Sequence, residues 1–264
     1  MRDDLTAIFI DDGERNPIKA AQREMRRPLP KRFYKDVTVE PLDGGFGLAL
    51  DGKSLRTPAR AVLAVPTRAL AESLAAEWLA QGEFIEPATM PVTRLVNTAL
   101  DGVFREIAAV AGEIAKFAAS DLLFYRAAAP DSLVAAQDAA WNPILDHFRD
   151  VYGAHFICAQ GVIFVEQPAT SVAAVASAVE AEAARPDGAF RLAALHVLTS
   201  ISGSVLLALA LTSGAQKFDE AWDAAHVDED FQARFWGADE EAEARRAARQ
   251  KDFRAAYELY AALG

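Results

Sequence analysis

PTRALAESLAAEWLAQGEFIEPATMPVTRLVNTALD, residues 66–101, joins two differently built halves of the chain and decides how the rest is read. Thr67 offers a side-chain acceptor at the start of a helix whose Leu70, Leu74 and Trp78 recur at fourfold spacing. Gly82, after Gln81, supplies a residue free to take the left-handed conformation that stops it. Phe84 and Ile85 follow, and Pro87 and Pro91 bracket Thr89-Met90, which forces an extended passage. Thr93 then caps a second helix running through Leu95, Val96 and Leu100. The passage reads as the hinge between the halves.

On the N-terminal side the period changes to two. Val37 and Val39 alternate with polar neighbours, Gly44-Gly45 makes a turn, and Phe46, Leu48 and Leu50 alternate again. Asp51-Gly52 is a strong hairpin turn, Ser54–Thr57 returns, and Ala61–Val65 offers a further strand. An antiparallel meander with one helix laid on it makes a sheet-plus-helix layer. Gly44-Gly45-Phe46-Gly47 is not a phosphate loop, because no Gly-Lys-Ser/Thr follows it and no helix opens there. Before the sheet, Arg15–Lys35 is a basic arm; a solvated face is the commoner meaning of such a run, docking on an acidic partner the rarer one.

After Asp101 the periodicity is helical. Val103, Ile107, Val110, Ile114 and Phe117 share one face, Leu133, Ala136 and Ala140 another, and Asn142-Pro143 restarts a helix that buries Ile144, Leu145 and Phe148 before Gly153. A short extended piece, Gly161–Val165, interrupts the run. Then come an alanine-rich helix over 169–184, an uncharged helix over 192–216, one over 218–235, and a last one over 239–263 with Phe253, Tyr257 and Tyr260 on one face. The fold expected is α+β: a small antiparallel sheet-plus-helix N-terminal domain, residues 1–100, with the basic arm, then a larger all-helical C-terminal domain, residues 101–264.

Net charge is −11, which repels a phosphate backbone and excludes nucleic acid as the natural partner. One cysteine, Cys158, allows no internal disulfide and no cysteine-based zinc site. Asp3, Asp4, Asp11 and Asp12 stand where an export or import signal avoids acids, so a cytoplasmic location is expected. The stretch 192–216 is uncharged and long enough to span a bilayer, but its serines, threonines and His196 fit the centre of a helical bundle better than a membrane.

Nothing in the sequence carries a catalytic or metal motif. His147, His155, His196 and His226 form no HExxH pair, and Ser202-Gly203-Ser204 has the outline of a nucleophile elbow but lies within an expected helix. No cofactor and no metal are expected. The exposed feature is acidic: Asp219, Glu220 and Asp223, then Asp228, Glu229 and Asp230, then Asp239, Glu240 and Glu241, flanking Trp236-Gly237. Carboxylates in a helix's first turn account for part of this. An aromatic residue ringed by carboxylates suits a protein partner.

KRFYK at 31–35, GFGLALDGKSLRTPA at 45–59, EWLAQGEFIEPATMPVTRLVNTALD at 77–101 and DLLFYRA at 121–127 together resemble the assembly chaperone family that binds the alpha subunit of the F-type ATP synthase. The resemblance implies a monomeric, ATP-independent chaperone that holds the unassembled alpha subunit until it meets the beta subunit. It implies structural positions at Trp78, Met90, Pro91, Thr93 and Asn97. Near the C-terminus it implies a partner site at Trp236, Gly237 and Glu240, beside the acidic Asp228 and Glu229. The competing expectation is a small-molecule enzyme with a pocket between sheet and helices.

Overall fold

The computed structural model describes residues 29–161, 163–236 and 240–264, the side chains of Phe235 and Trp236 excepted. The chain is α+β and divides into two compact units, with the boundary between Arg105 and Glu106. The basic arm up to residue 28 lies outside the described residues.

In the first unit β2 (Gly45–Leu50) is the central strand, paired antiparallel with β1 (Val37–Leu42) along its whole length. Its other side is shared by β3 (Lys53–Ser54) at one end and β4 (Ala64–Val65) at the other. The sheet is therefore not the simple meander expected: β4 passes β3 and returns to β2, with Phe46 opposite Val65. A Cβ on Gly45 would stand 2.4 Å from the Val65 carbonyl oxygen, so only glycine admits β4 this close. The second hairpin is as read, with Asp51 and Gly52 both left-handed at φ 48° and 75°. Leu48, Ala49 and Leu50 are all buried, so β2 is covered on both faces and strict alternation fails there.

Helix α1 (Arg68–Leu79) lies against β1 and β2, burying Leu70, Leu74 and Trp78, and Thr67 accepts from the Leu70 amide as expected. Gly82 does not stop it. The helix ends on Ala80 in a right-handed conformation, and its last carbonyls are satisfied from outside. Arg32 donates to the Gln81 carbonyl at 2.5 Å and the Leu79 carbonyl at 3.3 Å, and the Tyr34 hydroxyl donates to that of Trp78 at 2.6 Å.

The passage expected to be a hinge lies inside the first unit, well before its boundary, and is closed by side-chain bonds. Gln81 donates to the Glu77 carbonyl at 3.0 Å and the Thr89 hydroxyl at 3.1 Å, and accepts from the Glu86 amide at 2.7 Å. Ile85 and Met90 are fully buried. Helix α2 (Pro91–Asp101) starts at Pro91, two residues before the expected cap at Thr93. Its cap is the Glu77 carboxylate of α1, which accepts from the Val92 amide, the Thr93 amide and the Thr93 hydroxyl, each at 2.7 Å. Burial pushes the Glu77 carboxyl up, against the pull of those three donors. At the far end Asp101 accepts from the Thr57 hydroxyl at 2.6 Å and the Ala59 amide at 3.0 Å, fastening α2 to the loop between β3 and β4.

The second unit is built on α3 (Ile107–Lys116), α4 (Asp131–Tyr152), α5 (Ala169–Ala183), α6 (Gly188–Ser202), α7 (Val205–Thr212), α8 (Phe218–Ala225), α9 (Val227–Trp236) and α10 (Glu240–Ala261). It is not all helical, since β5 (Tyr125–Arg126) pairs in parallel with β6 (Ala159–Gln160). Pro143 lies inside α4 instead of restarting it. The uncharged stretch is two helices, because Gly203 turns left-handed at φ 71° and Ser204 caps α7 through the Leu207 amide at 2.9 Å. Every residue of Val205–Leu211 is buried, and α7 packs on α4, α6 and α8. Among the described residues no helix is long and apolar enough to cross a membrane. The expected helix over 218–235 breaks at His226, whose backbone leaves the helical region between α8 and α9.

Asp121, fully buried, serves α7 as Glu77 serves α2. Its carboxylate accepts from the Leu123 and Leu206 amides, both at 3.1 Å. Burial pushes its pKa up from 3.8 to about 6, against the Ser204 hydroxyl and the amides of Leu123, Leu206 and Val205. The rest of DLLFYRA is also engaged within the unit. Arg126 donates to the Leu123 carbonyl at 2.9 Å and to Asp138 at 3.1 Å, and stacks over Trp141.

Two outcomes are predicted. Glu77→Ala strands three donors at the start of α2 and should lower stability by about 2–4 kcal/mol, with Glu77→Gln losing less because it keeps one acceptor. Denaturant unfolding that finds Glu77→Ala unchanged would remove this role. A carboxyl raised in the folded state stabilises fully below its unfolded pKa and loses that contribution as pH rises through its folded value. The stability of the parent relative to Asp121→Asn should therefore fall by roughly 3 kcal/mol between about pH 4 and pH 6. A difference that is flat or rises across that window contradicts the assignment.

Candidate functional site

The acidic residues near the C-terminus are largely paired. Asp230, in the first turn of α9, meets the Arg246 guanidinium of α10 with two bonds, one of them 2.9 Å. Glu229 stands 3.5 Å from Arg249, whose other nitrogen donates to the Ile201 carbonyl at 2.9 Å. Asp219 of α8 lies 3.9 Å from Arg254, and Arg254 also stacks on Phe218 at 4.0 Å. Arg246, Arg249 and Arg254 thus form a basic edge of α10 seated on the acids of α8 and α9. Asp228 is turned the other way: its carboxylate accepts from the Gln137 amide at 2.6 Å, while the Gln137 oxygen accepts from the Ala127 amide.

His226 sits at the break between α8 and α9, buried and stacked on Trp222 with ring centroids 3.9 Å apart. Its Nδ1 is 2.8 Å from the Trp222 carbonyl, which can only accept, so Nδ1 carries the proton. Nε2 then faces Glu229 at 4.0 Å. Burial lowers its pKa, with Arg246 and Arg249 acting the same way against the Trp222 carbonyl and Glu229. The ring is neutral at neutral pH. Its place is structural, packed where the helix breaks, with Nδ1 bonded and the buried Nε2 left without a hydrogen-bond partner among the described residues.

Glu240 opens α10 and is exposed, with Glu241 and Glu243 in the same turn; Glu241 pairs with Arg245. Trp236 ends α9, but its side chain and all of Gly237 lie outside the described residues. Most of the first half of α10 is solvent-exposed, and the burial begins at Phe253.

Residues 31–149 match the family model described as ATP12 chaperone protein. The whole chain is similar to the Atu1473 protein from Agrobacterium tumefaciens, at 48% identity over 97% of that chain with a TM-score of 0.87. Over 89% of its length it is similar to Atp12 from Paracoccus denitrificans, at 36% identity over 99% of that chain with a TM-score of 0.81. A point mutant of the Paracoccus protein matches equally well in identity and TM-score. The chain belongs to the ATP12 chaperone family.

Seen in this ATP12 chain, the residues singled out from sequence fall into two groups. Trp78, Met90, Pro91, Thr93 and Asn97 are all buried within the first unit. Asp228, Glu229 and Glu240 stand at the start of α9 and of α10, and of the three only Glu240 makes no ion pair or side-chain hydrogen bond to the described residues. Sequence reading missed Arg246 and Arg249. Their spacing from Asp230 and Glu229, 16 and 20 residues, has no helical or hairpin signature. The carboxyls that burial pushes up, Glu77 and Asp121, are occupied as helix caps. Among the described residues no cluster of His, Cys, Asp and Glu has the makings of a metal set.

Arg246→Ala should loosen the first half of α10 without unfolding the unit, because the pair with Asp230 is about one-third exposed on each side and screened accordingly. Amide exchange over 240–249 should quicken while the melting midpoint moves by no more than about 3 °C. Unchanged exchange there would show that α10 is held by its C-terminal half alone.

Proposed function

We propose that this ATP12-family chain is an ATP-independent assembly chaperone of the F-type ATP synthase, holding the unassembled alpha subunit until the beta subunit replaces it. The observation that carries the reading is likeness along nearly the whole chain to Atp12, in both identity and TM-score. It agrees with the residue chemistry: the two carboxyls that burial pushes up, Glu77 and Asp121, are spent on helix ends. A chaperone of this kind needs only surface. It masks an apolar interface on its client that would otherwise self-associate.

On this reading the client contact includes the exposed start of α10 and its acidic neighbours. Tagged chain co-expressed with either subunit should capture alpha and not beta, with no added nucleotide. Equal capture of both, or of neither, would sink the reading. Glu240→Lys should leave the melting midpoint within about 3 °C of the parent, since a first-turn carboxylate on the surface contributes little. Where Glu240 faces a cation on the client, the reversal should weaken capture by roughly tenfold or more. Undiminished protection of refolding alpha subunit, followed by light scattering, would reduce Glu240 to a helix-end charge.

A further inference from the structure

The extended piece between β6 and α5 carries an apolar tip that nothing so far uses. Ile163 is 75% exposed, Phe164 64% and Ile157 48%. Single exposed apolar residues are ordinary, and Val62 or Phe104 stand alone in this way. Here two are adjacent on one loop, and the third stands just before β6.

The loop is held at its neck and floor. The Gln167 amide, itself buried, pairs with both backbone groups of Ile157: its oxygen accepts from the Ile157 amide and its nitrogen donates to the Ile157 carbonyl, both at 2.9 Å. The Ser171 hydroxyl does the same for His155, accepting from its amide at 2.9 Å and donating to its carbonyl at 2.7 Å. Phe156 turns inward and stacks on the buried Phe124, and the Gly161 amide donates to the Arg126 carbonyl at 2.9 Å. The flanks at His155–Ile157, Gly161 and Gln167 are thus fixed before any partner arrives, which cuts the entropy lost on binding.

Charge selects the partner. Glu166 stands two residues from Phe164, residues 150–166 carry no lysine or arginine, and Asp150 is paired with Arg149. An anionic membrane surface is repelled by a tip whose neighbouring charge is negative. A protein surface that is apolar at its centre and bordered by lysine or arginine fits it.

We propose that Ile163 and Phe164 are a docking knuckle for the client: they enter an apolar depression on the unassembled subunit, whose cationic border meets Glu166. The proposal rests on the chaperone reading above and adds a second docking point on a different part of the unit from the start of α10.

The test compares the parent with the double variant Ile163→Ser, Phe164→Ser in two arms. Both residues are exposed, so the variant should melt with the parent, and a matching midpoint is the control. In the first arm, binding to purified alpha subunit should weaken by about tenfold or more, since adjacent apolar anchors carry a large share of interface energy. Binding within about twofold of the parent overturns the proposal. The second arm uses a labelled synthetic helix with leucine on one face and lysine at its borders, followed by fluorescence anisotropy. Should the parent bind no alpha subunit, the chaperone reading fails, and this arm decides the loop: loss of peptide binding in the double variant sustains it, while equal binding or none overturns it. Phe164-dependent dimerisation in sedimentation, or Phe164-dependent binding to neutral vesicles, also overturns it by naming another occupant.

Discussion

A helix that begins under cover must find acceptors for its first amides, and in both units a carboxylate from elsewhere in the chain, half-buried in Glu77 and fully buried in Asp121, supplies them. For α2 the account closes: Pro91 has no amide hydrogen, and Glu77 takes those of Val92 and Thr93. For α7, Ser204 takes the Leu207 amide and Asp121 takes that of Leu206. Burial opposes the charge at both sites, which is why both carboxyls are pushed up. Converging amides and the positive end of the helix offset that cost. Each acid also fixes geometry, since Glu77 sets α2 against α1 and Asp121 sets the 121–126 turn against the break at Gly203.

Reliance on remote carboxylates explains which parts of the fold were legible. Local signals were read as they stand: the Thr67 cap, the Asp51-Gly52 hairpin, and the Leu70, Leu74 and Trp78 stripe. Glu77 was legible only as a helix residue, because its partners lie 15 and 16 residues away across an irregular passage. The passage itself looked like a hinge, since two prolines exclude helix. They do not exclude order, and Gln81 supplies it by bonding Glu86 and Thr89 of the passage and the Glu77 carbonyl of α1. The uncharged stretch hid its break for a related reason. A single Gly203 inside an apolar run is tolerated in a helix, and what makes it a terminus is the pairing of Ser204 and Asp121 beyond it.

The candidate site was legible in composition and not in connectivity. Clustered acids near the C-terminus announce a charged face, and a net charge of −11 spreads acidic surface widely over the molecule. Sequence cannot tell which carboxylates are already spent. Asp230 and Glu229 are held by α10, Asp228 by Gln137, and Glu220 by the Lys217 amide at the start of α8. A paired carboxylate offered to a client must first lose its arginine, so its net contribution to binding is small unless the client replaces that arginine. Glu240, with no ion pair among the described residues, bears no such cost toward them.

Family signature and client surface separate on the same ground. Arg32, Tyr34, Glu77, Gln81, Asp121 and Arg126 all stand in the stretches by which the resemblance is read, and every one of them is committed to a helix end or to a turn. Withdrawing any of them to hold a partner would leave buried amides or carbonyls unpaired, at a cost comparable to what a new bond to the partner would contribute. Recognition of the client therefore has to fall on side chains that the fold does not use. By that criterion the exposed start of α10 and the Ile163–Phe164 tip are available, and within their own unit Asp121 and Arg126 of the signature hold the turn at 121–126.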